Sequence, residues 1–228
     1  MNIKKHIPNT ITCCNLLSGT IAVICAYNGR FDLTVLFVLL SAVFDFFDGF
    51  SARLLGVSSA IGKELDSLAD LISFGFAPSM AAFTLLARSE WEWTRYFALI
   101  MVAFSALRLA KFNLDERQTS SFIGLATPAN AIFWVGLAYS YGEIGQLPTL
   151  PWVILAMLAL SCFLLVCELP MFSLKFKTWG WQGNQVRWIF IGGVVILAAI
   201  LRQNALPYII VWYSLLSICD LASKKIKG

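Results

Sequence analysis

Apolar residues run along this chain in long blocks separated by short polar connections. A helix needs roughly 20 mostly apolar residues to cross a bilayer. Blocks of that kind fall at residues 9–28, 32–56, 62–87, 93–113, 124–141, 150–168, 186–202 and 205–222. The pattern predicts eight membrane helices, with the last two forming a tight pair around Asn204. The connections are short except for 169–185, and no internal repeat or low-complexity tract interrupts the series. The expected fold is all-α, a polytopic membrane helix bundle.

Polar positions inside these blocks carry the chemical information. From Asp45 to Asp70 the chain reads D-x2-D-G-x2-A-R-x8-G-x3-D-x3-D. Its fixed positions are Asp45, Asp48, Gly49, Ala52, Arg53, Gly62, Asp66 and Asp70. Ionisable residues within a membrane are costly, and a functional site is their default explanation. Asp45 and Asp48 are three apart and share a helix face, which Gly49 and Ala52 continue without bulk. Gly62, Asp66 and Asp70 step by four along the next helix, and Ser73 and Ala77 extend that stripe. The short linker makes the two helices antiparallel, so the four carboxylates are expected to converge. Asp45 lies about 16 Å from the helix end at residue 56, which puts the site near one headgroup level.

Four ionised, unpaired carboxylates that close would repel one another. Divalent cations relieve this, and an all-oxygen site suits Mg²⁺ or Mn²⁺. Two ions about 4 Å apart form the usual clamp for displacement at phosphorus. Three readings stay open on these grounds: metal-assisted lipid phosphate chemistry, divalent-cation transport and a structural polar cluster. Transporter sites often use broken helices and paired repeats. Here the aspartate-bearing helices read as continuous, which favours chemistry.

Composition agrees with a membrane protein. The chain is 59% hydrophobic, with mean hydropathy +0.76 and 13% charged residues; soluble domains carry about 25%. No polar stretch is long enough for a separate soluble core. The first apolar run follows Lys4 and Lys5 but lacks a small-residue cleavage site, so a retained helix is expected rather than a signal peptide. With a cytoplasmic N-terminus, Arg30, Arg88, Arg95 and Arg202 fall outside. The remaining cations fall inside: Lys4, Lys5, Arg53, Lys63, Arg108, Lys111, Arg117, Lys175, Lys177, Arg187, Lys224, Lys225 and Lys227. Both termini and the site are thus expected at the cytoplasmic face. The net charge of +4 then reflects topology and anionic headgroups, not nucleic acid. Trp91 and Trp93 at the outer boundary and Trp179 and Trp181 in an inner loop suit interfacial positions. Cys13, Cys14, Cys25, Cys162, Cys167 and Cys219 show no metal-type C-x-x-C and are expected to be buried small hydrophobes. The single histidine, His6, sits in the polar N-terminus.

The aspartate spacing is similar to the signature of the CDP-alcohol phosphotransferase family. The resemblance implies six core membrane helices, usually in a homodimer. It also implies transfer of a phosphatidyl or related group from a CDP-linked donor to an alcohol, with release of CMP and use of Mg²⁺ or Mn²⁺. By position it makes Asp45, Asp48, Asp66 and Asp70 metal ligands, with Asp70 also the general base. Gly49, Ala52, Arg53 and Gly62 would line the CDP site. Pro8-Asn9, Thr12 and Asn15 resemble the first-helix element that meets the nucleotide, although helix capping also accounts for them.

Other segments resemble the bacterial branch that joins CDP-diacylglycerol to L-serine, an integral protein of the inner membrane. These are Asp66 to Gly75 followed by Ala77-Pro78, Leu107 to Asn113, Gly124 to Pro128, and Pro170, Met171, Ser173 and Lys177. Lys111 and Ala126 depart from the family, which more often has Arg and Pro there. The resemblance covers roughly residues 8–178, so 1–178 is expected to form the CDP-alcohol phosphotransferase membrane domain and 179–228 additional helices. A serine carboxylate needs a cation, and Arg108 with Lys111 or Asn113 is the candidate set. Ser73 is a candidate hydrogen-bonding residue, with a helix-backbone role as its alternative. Ordinary charge anchoring is the alternative for Arg108 and Lys111. A phosphorylated alcohol such as glycerol 3-phosphate or inositol phosphate would call for more clustered cations. Pro128 is expected to kink the fifth helix.

Overall fold

The computed structural model describes residues 6–57, 59–89, 91–115, 122–142, 150–174 and 180–227. Lys4, Lys5, Arg117, Lys175, Lys177 and Trp179 lie outside the described residues, as do the side chains of Lys224, Lys225 and Lys227. Helices occupy all eight expected blocks. They are α1 (His6–Tyr27), α2 (Phe31–Leu55), α3 (Ala60–Asp70) continuing into α4 (Ala77–Leu86), α5 (Ile100–Leu114), α6 (Thr127–Tyr141), α7 (Leu150–Val166), α8 (Gln185–Leu201) and α9 (Ala205–Lys227). The runs His6–Tyr27, Phe31–Leu55, Ala60–Leu86, Glu92–Leu114 and Gln185–Ser223 are each long and apolar enough to span a membrane. The fold is an all-α membrane bundle.

Several local features differ from the hydropathy reading. The third span is not a continuous α-helix: Leu71–Phe76 between α3 and α4 is π-helical. The fourth begins as a 3-10 helix at Glu92–Leu99. Pro128 does not kink α6 but sits in its first turn, where the missing N–H costs nothing. Gly124 breaks the chain just before it, at φ 72°; a Cβ there would stand 2.9 Å from the Cys167 carbonyl oxygen. Two short strands, β1 (Phe122–Ile123) and β2 (Pro170–Met171), pair antiparallel with Phe122 opposite Met171. Of the cysteines only Cys162 is buried, while Cys13 and Cys219 are exposed. In a lipid solvent an outward thiol carries no penalty comparable with a polar group.

The bundle closes around α1, which lies against α2, α3, the π segment and α4. Its inward face is small or polar: Thr12, Asn15, Ser18, Gly19, Ala22 and Ala26 are buried. Its large side chains face out, with Leu17 64% and Ile24 56% exposed. Lipid tails are as apolar as leucine, so membrane helices associate through close backbone approach and hydrogen bonds rather than through burial of bulk. Ser18 donates to the Phe37 carbonyl at 2.8 Å. Gly19 lies so near the π segment that a Cβ would stand 2.7 Å from the Ser73 Cα.

A second polar core joins α5, α6 and α7. Trp134 donates to Ser161 at 3.0 Å, Ser161 donates to Asn130, and Asn130 donates to the Met101 sulfur at 3.3 Å. The hairpin of α8 and α9, turned by Arg202–Asn204, docks on α6. There Tyr139 donates to Gln203 at 2.6 Å, and the hydroxyls of Tyr141 and Tyr208 hydrogen-bond. Trp91, Trp93 and Trp152 cluster at the bundle end opposite the aspartates, as interfacial aromatics should.

Gly19→Ala should lower the thermal unfolding midpoint in detergent, since overpacking a tight contact costs about 1–3 kcal/mol. Gly49→Ala, with no atom within 4 Å of its new Cβ, should leave the midpoint unchanged. Equal midpoints for the two variants would remove the close approach of α1 as a stabilising contact.

Candidate active site

Three helices bring the site together at one end of the bundle. Helix α2 ends in a left-handed Gly56 at φ 60°, where Gly56 N–H bonds to the Arg53 carbonyl and Val57 N–H to the Ala52 carbonyl. Only a residue without Cβ takes this turn freely. Ser59 then caps α3, its hydroxyl accepting from Gly62 N–H at 3.0 Å. Two well-defined helix ends within a few residues fix the register of α2 against α3. The consequence is that one carboxylate oxygen each of Asp45, Asp48 and Asp66 lie within 4.8 Å of one another.

The convergence is three plus one. Asp70 lies one turn farther along α3, outside that group, though it still feels the charges of Asp45 and Asp66. Helix α1 supplies a separate donor to each part. Thr12 donates to Asp48 Oδ2 at 2.7 Å, and Asn15 Nδ2 donates to Asp70 Oδ1 at 3.3 Å. Both residues lie inside α1, which corrects the capping alternative. Asp66 Oδ1 is buried with no hydrogen-bond partner among the described residues. An uncompensated buried carboxylate oxygen among neighbouring carboxylates is the donor set a hard divalent cation requires.

A cleft of about 220 Å³ opens beside this cluster, lined by Pro8, Asn9, Thr12, Asp48, Gly49, Ala52, Val57, Ser59, Gly62, Lys63 and Asp66. Gly49 is exposed and faces open space, so its lack of a side chain makes room for a ligand rather than for a helix. Gly62 is different: a Cβ there would stand 2.9 Å from Asn9 Oδ1. Arg53 does not line the cleft; it is exposed and folds back to donate to the Gly49 carbonyl at 3.0 Å. Lys63 lines it without having been singled out as a site residue from the sequence. Its position directly after Gly62 in the motif was the available signal.

The acceptor candidates separate. Arg108 is buried at 7% exposure, with its guanidinium stacked over the Phe112 ring at 5.0 Å. Among the described residues no carboxylate comes within ion-pair distance of it. Asp70 and Tyr213 lie within electrostatic reach. Arg108 and Lys111 line a second cleft of about 400 Å³ with Phe112, Ile123, Leu165 and Glu168. Lys111 is exposed and reaches the Val166 carbonyl at 3.4 Å. Asn113 and Ser73 line neither cleft. Asn113 donates to Ser67 at 2.7 Å, and its carbonyl accepts from Lys63 at 3.2 Å. Ser73 is fully buried and donates to Asn15 Oδ1 at 2.7 Å, so its hydroxyl aims the residue that holds Asp70.

Fold and site together define a membrane-embedded helical bundle with a carboxylate cluster beside a glycine-floored cleft. The chain belongs to the CDP-alcohol phosphatidyltransferase family, whose model matches residues 5–219. It is similar to a Bacillus subtilis CDP-diacylglycerol–serine O-phosphatidyltransferase, 36% identical over 145 residues, covering 61% of this chain and 79% of that protein. A Helicobacter pylori protein of the same name is 35% identical over 130 residues, covering 56% and 55% respectively. One from Mycobacterium leprae is 27% identical over 220 residues, covering 92% and 71%. The chain therefore spans little more than half the length of the Helicobacter relative.

Thr12→Val should weaken divalent-cation binding about 10- to 100-fold, the usual cost of losing a partner that orients a ligand. Isothermal titration with Mn²⁺ measures this, and unchanged affinity would separate the Thr12–Asp48 bond from metal binding.

Proposed function

We propose that this protein transfers the phosphatidyl group of CDP-diacylglycerol to the hydroxyl of L-serine, giving phosphatidylserine and CMP. The carboxylate cluster beside the open Gly49 cleft carries the reading, and the serine-specific names of the relatives support the acceptor. Asp45, Asp48 and Asp66, with Asp70 at their edge, would hold Mg²⁺ or Mn²⁺ as a pair of ions. Bound there, the metal would offset charge on the diphosphate and on the phosphoryl oxygens of the transition state. Gly49, Ala52, Gly62, Asn9 and Thr12 form the CDP-lipid cleft, and Arg53, exposed beside Gly49, would have to swing from the Gly49 carbonyl to reach the donor.

Asp70 is the general base. Asn15 orients its carboxylate, and its place outside the three-carboxylate group leaves an oxygen for proton transfer. It takes the proton of the serine hydroxyl while the serine oxygen forms a bond to the phosphorus of the phosphatidyl group. The bond from that phosphorus to the oxygen bridging it to CMP breaks, and CMP leaves. Arg108 receives the serine carboxylate, with Lys111 at the mouth of the same cleft. A single buried guanidinium without an ion-pair partner among the described residues suits one carboxylate better than a phosphate monoester.

The site faces the cytoplasm of the bacterial inner membrane, with both termini on that side and two copies forming a homodimer. Residues 1–178 carry the chemistry, and 179–228 add helices. The cation distribution supports the orientation. A divalent-cation transporter would also explain the cluster, but it predicts metal flux without CMP release.

Purified protein with CDP-diacylglycerol and Mn²⁺ should release CMP only when L-serine is added, and chelation of the metal should stop it. Release with glycerol 3-phosphate or inositol phosphate instead would overturn the acceptor and keep the family chemistry. Asp70→Asn should cut kcat by about 10²–10⁴-fold, the contribution of a general base, with CDP-lipid binding largely kept. Near-normal turnover in that variant would remove Asp70 from the reaction.

A further inference from the structure

Among the described residues one cation lines the donor cleft, and it is not the arginine of the aspartate motif. Arg53 turns away to the Gly49 carbonyl, whereas Lys63 lies in the wall with Asp48, Gly49, Gly62 and Asp66. Lys63 precedes Asp66 by three residues, so the two share a face of α3. At 1.5 Å per residue, Lys63 stands about 4.5 Å nearer the α2–α3 turn than Asp66 does. The carboxylates thus lie deeper in the bundle and the ammonium nearer its end.

A ring of hydrogen bonds places this side chain. Lys63 Nζ donates to the Asn113 carbonyl at 3.2 Å, Asn113 Nδ2 donates to Ser67 Oγ at 2.7 Å, and Ser67 Oγ donates to the Lys63 carbonyl at 3.2 Å. The Asn113 carbonyl belongs to the last turn of α5, where carbonyls lack helical partners and a lysine can cap them. Capping uses one of the three ammonium protons. Among the described residues the other two have no acceptor, and no carboxylate comes within ion-pair distance. Lys63 therefore keeps its charge at the cleft wall, with protons left for an anion. A compact ammonium suits a phosphate as a point charge.

We infer that Lys63 is a donor-binding residue of this cleft, whose ammonium meets the phosphate in the CMP half of the CDP-lipid. This rests on the proposed reading of the cleft as the CDP-lipid site. The acyl chains run into the bilayer, so the nucleotide half lies toward the α2–α3 turn, on the Lys63 side of the carboxylates. When the bond between the phosphatidyl phosphorus and the bridging oxygen breaks, its electron pair stays on that oxygen, and CMP gains a negative charge. Lys63 stays protonated throughout and offsets that charge. The aspartates lie toward the phosphorus under attack, and Lys63 lies toward the group that leaves.

The test compares wild type, Lys63→Met, Lys63→Arg and Ser67→Ala as full-length protein in detergent with Mn²⁺. Calorimetry gives the affinities for Mn²⁺ and for CMP, and turnover gives both KM values. Lys63→Met should bind CMP roughly tenfold more weakly, the effect of one lost hydrogen bond to a charged group. The KM for CDP-diacylglycerol should rise by a similar factor. The Mn²⁺ affinity without nucleotide and the KM for L-serine should stay as they are. Lys63→Arg, which keeps the charge, should recover most of the CMP affinity. Ser67→Ala breaks one leg of the α3–α5 tie and spares the ammonium, so it should lower the unfolding midpoint and leave CMP affinity unchanged. Wild-type CMP affinity in Lys63→Met overturns the inference. So does an equal loss of CMP affinity in Ser67→Ala, or an equal loss of Mn²⁺ affinity in Lys63→Met, because each marks a purely structural effect. If the wild-type protein itself fails to bind CMP, the reading of the cleft as the CDP-lipid site falls first.

Discussion

The contact between α1 and the π segment is the constraint on which the site depends. Gly19 lets the two backbones approach, and Asn15 then reaches both Ser73 and Asp70. With bulk at that seam, α1 would stand off, and Thr12 would lose Asp48 as well. The donors that orient two of the four carboxylates come from one helix held by one close approach. In lipid this is the available way to bind helices tightly, since large apolar side chains gain nothing by turning inward.

The carboxylates divide their surroundings as well as their positions. Asp45, Asp48 and Asp66 crowd together next to the cleft floored by Gly49. Asp70 sits outside that group and accepts from an amide of α1. One motif read as a single cluster therefore supplies two environments. Lys63 adds a link, because its bond to the Asn113 carbonyl ties the start of α3 to the end of α5 and so couples the two clefts.

Much of this was legible in the sequence, for physical reasons. A bilayer demands long apolar helices, so the eight blocks were visible, and charge inside such a block is too costly to be accidental. What was not legible depends on contacts across the chain. Ser73 reads as a polar residue on the aspartate stripe, but its partner Asn15 lies in another helix, and its hydroxyl is given to α1. Asn113 follows Arg108 and Lys111 in sequence yet turns away to Ser67. Pro128 looked internal because Gly124, Leu125 and Ala126 are apolar enough to pass for helix, while Gly124 in fact turns the chain. Tyr213 belongs to no motif, and only the packing of α9 brings its hydroxyl to the Phe172 carbonyl.

The π segment at Leu71–Phe76 was invisible to hydropathy, which cannot see one extra residue in a turn. Relative to an unbroken α-helix, one additional residue rotates everything beyond it by about 100°. The third span therefore has two independent phases. Below the segment, Asp66 joins the carboxylate cluster and Asp70 meets Asn15. Above it, Ala77, Ala81 and Ala82 face the apolar core. The segment works as a fixed joint: the stripe that anchors the span in the bundle and the stripe that holds the carboxylates need not lie on one line, so each is free to change without re-aiming the other.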